Sequence, residues 1–145
     1  MIDTIQFAQK AFVVNNNKLL IIRKSLDAPI AAGFWEVPGG RLEKNESLQN
    51  NLAREVFEET NVIIEPIEPF HLWDWYLPSN MPQEKTRVVA AAVYCKADRG
   101  NISMMNQIPS DNIDEIRWID IADIDPAFFI PNMLNTLKIF LDKYS

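Results

Sequence analysis

Residues 40–62 read GRLEKNESLQNNLAREVFEETNV, and the second half of this stretch has the composition of a polar helix without Gly or Pro. The acids Glu55, Glu58 and Glu59 follow the i, i+3, i+4 spacing, which places three carboxylates on one helix face within about 6 Å of each other. They repel one another there, and they lie near the helix C-terminus, where the macrodipole favours cations. A divalent cation removes both penalties, because carboxylate oxygens are the natural ligands of Mg²⁺ and Mn²⁺.

The stretch resembles the Nudix box, G-x5-E-x7-R-E-U-x-E-E-x-G-U, in which U is a bulky apolar residue. One of the nine specified positions departs, because Asn61 stands where the family has Gly. That Gly follows a helix C-terminus and needs a left-handed backbone, which Asn tolerates well. Asn45, just before the box glutamate, invites the same explanation, and the preceding WEVPGG at 35–40 is also similar to the family. The matching positions are Gly40, Glu46, Arg54, Glu55, Val56, Glu58, Glu59 and Val62.

The resemblance implies a fold class and a domain organisation. The Nudix fold is an α/β/α sandwich with a mixed central sheet, whereas periodicity alone indicates only α/β or α+β. The chain has 145 residues, the usual size of one domain, so we expect a single Nudix hydrolase domain over residues 1–145.

The residue pattern predicts the individual elements. Asn15, Asn16 and Asn17 favour a turn, so the strands on either side of them are expected to form a hairpin. In the box helix, Leu48, Leu52 and Val56 recur every four residues and indicate its core face. Strands are predicted at 7–14, 18–23, 34–37, 62–67, 70–76, 86–95 and 116–119, a loop at 101–112 and a closing helix at 133–144.

By resemblance, Nudix enzymes hydrolyse a nucleoside diphosphate linked to another moiety, with water attacking one phosphorus of the pyrophosphate. Divalent ions held by carboxylates both neutralise the phosphates and make water nucleophilic, so we expect Mg²⁺, or Mn²⁺, as cofactor. The box positions assign metal ligation to Glu55, Glu58 and Glu59, together with the backbone carbonyl of Gly39. Either Glu58 or Glu55 is expected to hold or deprotonate the attacking water.

Glu46 and Arg54 are expected to support the catalytic carboxylates. Glu46 lies nine residues before Glu55, about two and a half helical turns, which predicts the same helix face at its opposite end. Arg54 should orient the carboxylates by ion pairing, with Glu58 at i+4 or with a loop acid. The alternative for Arg54 is an ordinary surface ion pair, worth under about 1 kcal/mol.

In this family an acid from a distal loop often completes the metal site. Asp111, Asp114 and Glu115 lie just before the predicted strand at 116–119, and Glu115 is the preferred ligand. The alternative is that these three residues form an exposed acidic loop without a role in the site.

Three residues are candidates for substrate binding. Arg23 ends the second predicted strand and could contact a phosphate, although arginines at strand ends are usually solvated. Trp73 and Trp75 could stack on a nucleobase, each stack being worth about 1–3 kcal/mol. Alternating aromatics on a strand are also typical of packing. Cys95 lies in an apolar strand and is interpreted as a small buried hydrophobe rather than a nucleophile.

Composition limits the function classes. Apolar residues make up 48 % and charged residues 23 %, values ordinary for a soluble globular protein. The net charge of −6 argues against binding of extended nucleic acid. No apolar stretch approaches the ~20 residues of a membrane span, and the N-terminus does not resemble a signal peptide. A lone cysteine excludes an intramolecular disulfide, so a cytoplasmic location is expected.

The box indicates the reaction but leaves the substrate open. In the family, a proline about sixteen residues beyond the box is associated with ADP-ribose hydrolysis, and Pro78 stands sixteen residues after Val62. Clean-up of oxidised nucleotides or nucleoside triphosphates fits the small size equally well. The expected partner is a small-molecule nucleotide, with no membrane, and a homodimer is left open. The alternative function is a catalytically inactive Nudix-like domain that senses a nucleotide or binds a protein, marked by a lost metal acid; none is lost here.

Overall fold

The computed structural model describes residues 2–78, 81 and 83–145, which form one mixed sheet with an α-helix on each face. The Nudix-type α/β/α sandwich expected from the sequence is thereby confirmed. The described strands and α-helices are β1 (Ile2–Asn15), β2 (Lys18–Lys24), β3 (Trp35–Glu36), β4 (Gly39–Arg41), α1 (Leu48–Thr60), β5 (Ile63–Tyr76), β6 (Glu84–Arg99), β7 (Ile113–Asp120) and α2 (Leu134–Tyr144).

The long strand β1 organises the sheet. It runs parallel to β6 on one side, and on the other it pairs antiparallel with β4 and with the start of β2. The predicted hairpin between β1 and β2 is confirmed. Asn16 and Asn17 at its tip have φ of 51° and 60°, the positive values that a two-residue hairpin turn of type I′ requires. Beyond these pairs, β5 joins β6 and β7 joins β2, both antiparallel.

Alternate residues of β1 supply the two cores. Phe12 packs with Leu137 and Phe140 of α2 on one face, whereas Ala11 and Val13 pack with α1 on the other. Burial of apolar side chains on both faces stabilises a layered sandwich of this kind.

The core face of α1 differs from the prediction at its first position. Leu52 and Val56 are buried as expected, but Leu48 is 52 % exposed. Leu48 is the first residue of the helix, and the first sheet-facing position is filled by Asn51, which is fully buried. The predicted four-residue spacing therefore placed one residue wrongly.

The predicted strands at 62–67 and 70–76 are in fact one strand, β5. Its pairing with β6 shifts register between Pro66 and Glu68 and between Pro69 and His71. Proline cannot donate to the ladder, so it is accommodated at a sheet edge or at an irregularity. β1, β6 and β7 all extend beyond their predicted ends, because pairing with neighbours extends the polar terminal segments.

Both ends of α1 are fixed by short polar residues. The Ser47 hydroxyl caps the N-terminus by accepting the Asn50 N–H. At the C-terminus Asn61 has φ 66° and ψ 12°, so the predicted left-handed backbone is confirmed; Asn45, with φ 63°, behaves likewise. The structure adds a further role for Asn61, whose amide donates to the Asn101 carbonyl at 2.8 Å and accepts from the Asn106 amide at 2.8 Å.

Within the described residues, the structure has no helix long and apolar enough to cross a membrane.

We expect Asn61→Val to lower the free energy of unfolding more than Asn61→Gly. Both variants lose the two side-chain hydrogen bonds, but only valine is strained at positive φ, by upward of about 1 kcal/mol. Urea denaturation midpoints of the two variants and the parent would measure the difference. Equal losses for Gly and Val would show that the hydrogen bonds, and not the left-handed backbone, make Asn61 important.

Candidate metal and substrate site

Two glycines bring the box helix against the sheet. Gly39 and Gly40 on β4 pair with Lys10 and Gln9 on β1. Gly39 has φ 149°, and a Cβ there would lie 2.1 Å from the Gln9 carbonyl oxygen. A Cβ on Gly40 would lie 2.5 Å from the carboxylate carbon of Glu55. Gly39 therefore excludes a side chain, because a Cβ there would clash with the backbone of β1. At Gly40 a Cβ would meet only the end of the Glu55 side chain, and its absence lets the Glu55 carboxylate pack directly against β4.

The three box acids that were expected to bind metal line one cavity of about 710 Å³ together with Gly39. Glu55 and Glu58 lie 3.2 Å and 3.5 Å from the Arg54 guanidinium. Glu59 is buried and accepts the Gly39 N–H at 2.8 Å. The helical spacing thus brings these side chains to the same cavity, although they make different contacts there.

The electrostatics of these acids favour a cation. Burial, reinforced by a hydrogen bond with Asp111 and by its charge, raises the pKa of Glu58 to about 7. Burial raises the pKa of Glu59 to about 8, against the opposing effects of Lys10 and the Gly39 N–H. Burial also raises the pKa of Glu55. Carboxyl groups that hold protons this tightly gain from a neighbouring positive charge.

Among the described residues, no three Asp, Glu, His or Cys side chains converge closely enough to hold a metal ion as they stand. Glu55 and Glu58 face Arg54, and Glu59 faces the Gly39 amide. The donor set still fits a hard divalent cation, because it consists of oxygen donors with surplus negative charge in a partly buried cavity.

Arg54 connects the acids to the loop before the helix. Its Nε donates to Glu46 Oε2 at 2.6 Å and its Nη2 to Glu46 Oε1 at 3.2 Å. The hydrogen bonds from Arg54 contribute most to lowering the pKa of Glu46, to about 2. The predicted i, i+4 pair with Glu58 is confirmed. The predicted helical position of Glu46 is wrong, because the helix begins only at Leu48, after the Ser47 cap, and Glu46 lies in the preceding turn.

The distal acid that lines the cavity is Asp111 rather than the expected Glu115. Glu115 lies within β7, where its carboxylate contacts Arg117 at 2.5 Å and Arg23 at 3.8 Å. Asp111 precedes the strand in a short 3₁₀ turn, and its loop is held over the end of α1 by the Gln107 amide, which donates to the Glu59 carbonyl at 2.9 Å. The sequence indicates the acidic segment, but the acid that it favours, Glu115, is not among the described residues that line the cavity.

The substrate-binding candidates fall in two places. Trp73 and Trp75 line the cavity, with ring centroids 5.8 Å apart, because alternate residues of β5 share a face. Arg23 is not among the described residues that line it. Its guanidinium is instead held by Asp114 at 2.8 Å and lies over the Trp35 ring.

Sequence reasoning missed a cluster of charged residues in the same cavity. Lys10 Nζ lies 2.7 Å from Glu36 Oε1, and Lys24 Nζ lies 3.9 Å from Glu36 Oε2 and donates to the Asp111 carbonyl at 3.0 Å. Burial would lower the pKa of Lys10, but Glu36 and the box acids outweigh it and raise that pKa. A lysine inside the apolar strand 7–14 was the available signal. Asn132 also lines the cavity, from the turn before α2.

The layered fold and the glycine–helix arrangement define a Nudix-type domain, and comparison with known proteins supports the same class. The family model described as the NUDIX domain matches residues 6–139. The chain therefore belongs to the Nudix family.

Among relatives, the chain is 34 % identical over 89 residues to a MutT-like protein of Streptomyces ambofaciens, covering 61 % of this chain and 49 % of that protein. It is 36 % identical over 56 residues to a putative 8-oxo-dGTP diphosphatase of Bacillus subtilis, covering 37 % of this chain and 35 % of that protein. The chain thus spans half or less of the length of these relatives.

Two solved structures illustrate the shared fold. The MutT protein from Methanosarcina mazei has a TM-score of 0.77 at 19 % identity, covering 100 % of this chain and 99 % of that one. An ADP-ribose pyrophosphatase from Streptococcus suis has a TM-score of 0.61 at 18 % identity, covering 94 % of this chain and 90 % of that chain. At these identities the likeness concerns the fold alone.

We expect Gly40→Ala to weaken binding of Mn²⁺, used as a probe for the divalent ion, by about 10-fold or more. The added Cβ displaces the Glu55 carboxylate, which is the flexible end of a side chain, so the melting temperature should change little. Calorimetric titration would measure the affinity. In a Glu55→Ala background the same substitution should add no further loss; a full additional loss there would show that Gly40 acts by another route.

We expect the stability of the metal-free protein to fall as pH rises from about 5 to 8. The folded state holds a proton on Glu59 up to a pKa of about 8, whereas the unfolded chain releases it near 4.5. Between these values the folded state binds more protons, so raising the pH favours unfolding. Melting curves in EDTA would show this slope, and Glu59→Gln should flatten it. An unchanged slope in the variant would mean that Glu59 is already ionised in the fold.

Proposed function

We propose that the protein is a divalent-metal-dependent pyrophosphohydrolase that cleaves the pyrophosphate bond of a nucleoside diphosphate linked to another moiety. The observation that carries this proposal is that Glu55, Glu58, Glu59 and Asp111 line one cavity, which Trp73 and Trp75 also line. A volume of about 710 Å³ lies within the range of ligand pockets, about 300–1,000 Å³.

The acids would hold Mg²⁺, or Mn²⁺, with the Gly39 carbonyl as a further donor. When bound, the ion supplies charge neutralisation for the phosphates and acidifies water. Asp111 takes the place that the sequence had assigned to Glu115, since it is the distal acid within hydrogen-bond reach of Glu58.

Each side chain has a proposed task in the reaction. Arg54, fixed by Glu46, holds the carboxylates of Glu55 and Glu58 in orientation. A carboxylate oxygen of Glu58 accepts the proton of the attacking water, because a general base works best with a pKa near the working pH. The pKa of about 7 that Glu58 has in the metal-free protein supports its choice for this task. Glu55 is then primarily a ligand.

The aromatic residues of the cavity support a nucleobase as the second recognised group. Trp73 and Trp75 line the cavity and carry rings large enough to stack on a base, and Asn132, which also lines it, carries an amide that can form hydrogen bonds. Pro78 is exposed and follows β5 without lining the cavity, so its position lends no support to ADP-ribose as substrate. We propose nucleoside triphosphates, including oxidised ones, as the first substrates to test.

The burial of Cys95 in β6 agrees with a structural role, since burial raises its pKa to about 12 and keeps it in the unreactive thiol form. A cytoplasmic location remains our proposal, because a free thiol and a nucleotide substrate both suit that compartment.

A panel of nucleotides incubated with Mg²⁺ or with EDTA tests the proposed function. The panel should include canonical and oxidised nucleoside triphosphates, ADP-ribose and other nucleoside diphosphate derivatives, with phosphate, pyrophosphate and nucleoside monophosphate as measured products. Release of product only with the metal supports the enzyme. Binding of a nucleotide without release of any product would indicate a nucleotide-sensing domain instead.

We expect Glu58→Gln to lower the turnover rate by about 10²–10⁴-fold, the usual contribution of a general base. The metal-free melting temperature should equal or exceed that of the parent, because the variant removes the charge of a partly buried acid that faces Asp111. Glu65→Gln, at an exposed position of β5, is a matched control and should change neither quantity. Turnover at the parent rate would remove Glu58 from the mechanism, and a clear drop in melting temperature would make it a structural residue.

A further inference from the structure

Asn51 is a buried polar residue at the centre of a hydrogen-bond chain that the reaction does not use directly. Its side chain is fully buried on the sheet-facing side of α1. The oxygen Oδ1 accepts from Gln9 Nε2 at 2.9 Å, and Nδ2 donates to the Arg41 carbonyl at 2.9 Å and to Glu46 Oε1 at 3.2 Å. One amide therefore has both donors and its acceptor satisfied, by three separate segments.

The contact with β1 fixes the orientation of this amide. Gln9 is itself buried, pairs with Gly40 in the sheet, and donates from the same Nε2 to the Leu48 carbonyl at 2.6 Å. Because Gln9 Nε2 is a donor to Leu48, it must also be a donor to Asn51, which leaves the Asn51 amide nitrogen to face Arg41 and Glu46.

Glu46 links Asn51 to the acids of the cavity through Arg54. The oxygen that Asn51 holds also accepts from the Glu43 N–H at 3.1 Å and from Arg54 Nη2 at 3.2 Å. The third nitrogen of Arg54, Nη1, lies near Glu55 and Glu58. An unbroken set of polar contacts therefore runs from the sheet through Asn51 and Glu46 to the guanidinium that orients the proposed metal ligands.

We propose that Asn51 is a positioning residue: it fixes the Glu46 carboxylate, so that Arg54 is held in the one orientation that places Glu55 and Glu58 for metal binding. An apolar side chain of similar size would fill the same space, so packing alone does not explain why an amide stands at this position. A buried amide is costly unless all its partners are present, so it selects the single arrangement of loop and helix that supplies them. The proposal rests on the proposed function.

The first test measures hydrogen exchange at the Arg54 guanidinium and does not depend on enzymatic activity. The Nε–H of Arg54 donates to a carboxylate, so its proton should be visible and slow to exchange in ¹H–¹⁵N spectra, with Arg54→Lys giving the assignment. In Asn51→Ala this proton should exchange faster. The Nε–H of Arg87, which pairs with Asp74 at 2.7 Å on the surface, is an internal reference and should not change.

A matched variant controls for helix composition. Asn50→Ala makes the same replacement one residue earlier, at an exposed side chain of the same helix. It should leave Arg54 exchange and activity unchanged. Asn51→Ala is expected to fold, because Gln9 keeps the Leu48 carbonyl as partner. If Asn51→Ala fails to fold, Asn51→Leu, which keeps more of the buried volume, is used in its place.

The second test is a double-mutant cycle with Glu46→Gln. We expect Asn51→Ala to lower kcat, and the affinity for Mn²⁺ measured by calorimetry, by about 10-fold, with KM little changed. In the Glu46→Gln background the same substitution should lower kcat less than 2-fold, because the group it positions is already altered.

Two outcomes would overturn the proposal: a full 10-fold loss in both backgrounds, which would mean that Asn51 acts on the fold in general, and unchanged exchange of the Arg54 Nε–H. Absence of product from every nucleotide in the panel would defeat the proposed function, but the exchange and Mn²⁺ measurements would still test the role of Asn51.

Discussion

Arg54 is the cation around which the acidic part of the cavity is arranged. Its guanidinium contacts carboxylates of Glu46, Glu55 and Glu58 within 3.5 Å, and Glu43 at 3.7 Å. Removing the positive charge of Arg54 would leave these carboxylates in mutual repulsion inside a partly buried space. The arginine neutralises this repulsion mainly on the side of the loop before the helix, because its shortest contact is with Glu46. Negative charge therefore remains on the cavity side, where Glu58 and Asp111 meet.

Close approach of backbone to helix makes this arrangement geometrically possible. The Glu55 carboxylate packs against Gly40, and the Gly39 amide reaches Glu59 because β4 is pressed against β1. The two glycines therefore affect the position of the acids, because a side chain at Gly39 would push β4 away from β1 and one at Gly40 would displace the Glu55 carboxylate. Asn61 performs the related task at the other end of the helix, where its left-handed backbone turns the chain into β5.

Local rules were sufficient to predict much of the fold and part of the site from sequence. The hairpin, the box helix, the left-handed asparagines and the shared cavity of the box acids follow from spacing and backbone preference. The choice between Glu115 and Asp111 depends on where β7 begins and on the contact from Gln107 to the end of α1, which no local pattern encodes. The position of Glu46 differs from the prediction for another reason. Serine is a preferred N-cap residue, so the helix begins after Ser47, and the spacing of the acids does not show where the helix starts.

The fixed charges of the cavity explain why it still favours a mobile cation. Its lining includes four basic side chains, Lys10, Lys24, Arg41 and Arg54, and six acids, Glu36, Glu43, Glu55, Glu58, Glu59 and Asp111. Lys10 and Lys24 are engaged with Glu36, and Arg54 with Glu46, so these cations cannot also neutralise Glu58, Glu59 and Asp111 in full. Burial is the main cause of the raised pKa values of Glu58 and Glu59, and the charges of neighbouring acids add to it. Protons relieve this shortage of positive charge at low pH, and a divalent ion would relieve it at neutral pH while also providing the charge that a pyrophosphate requires.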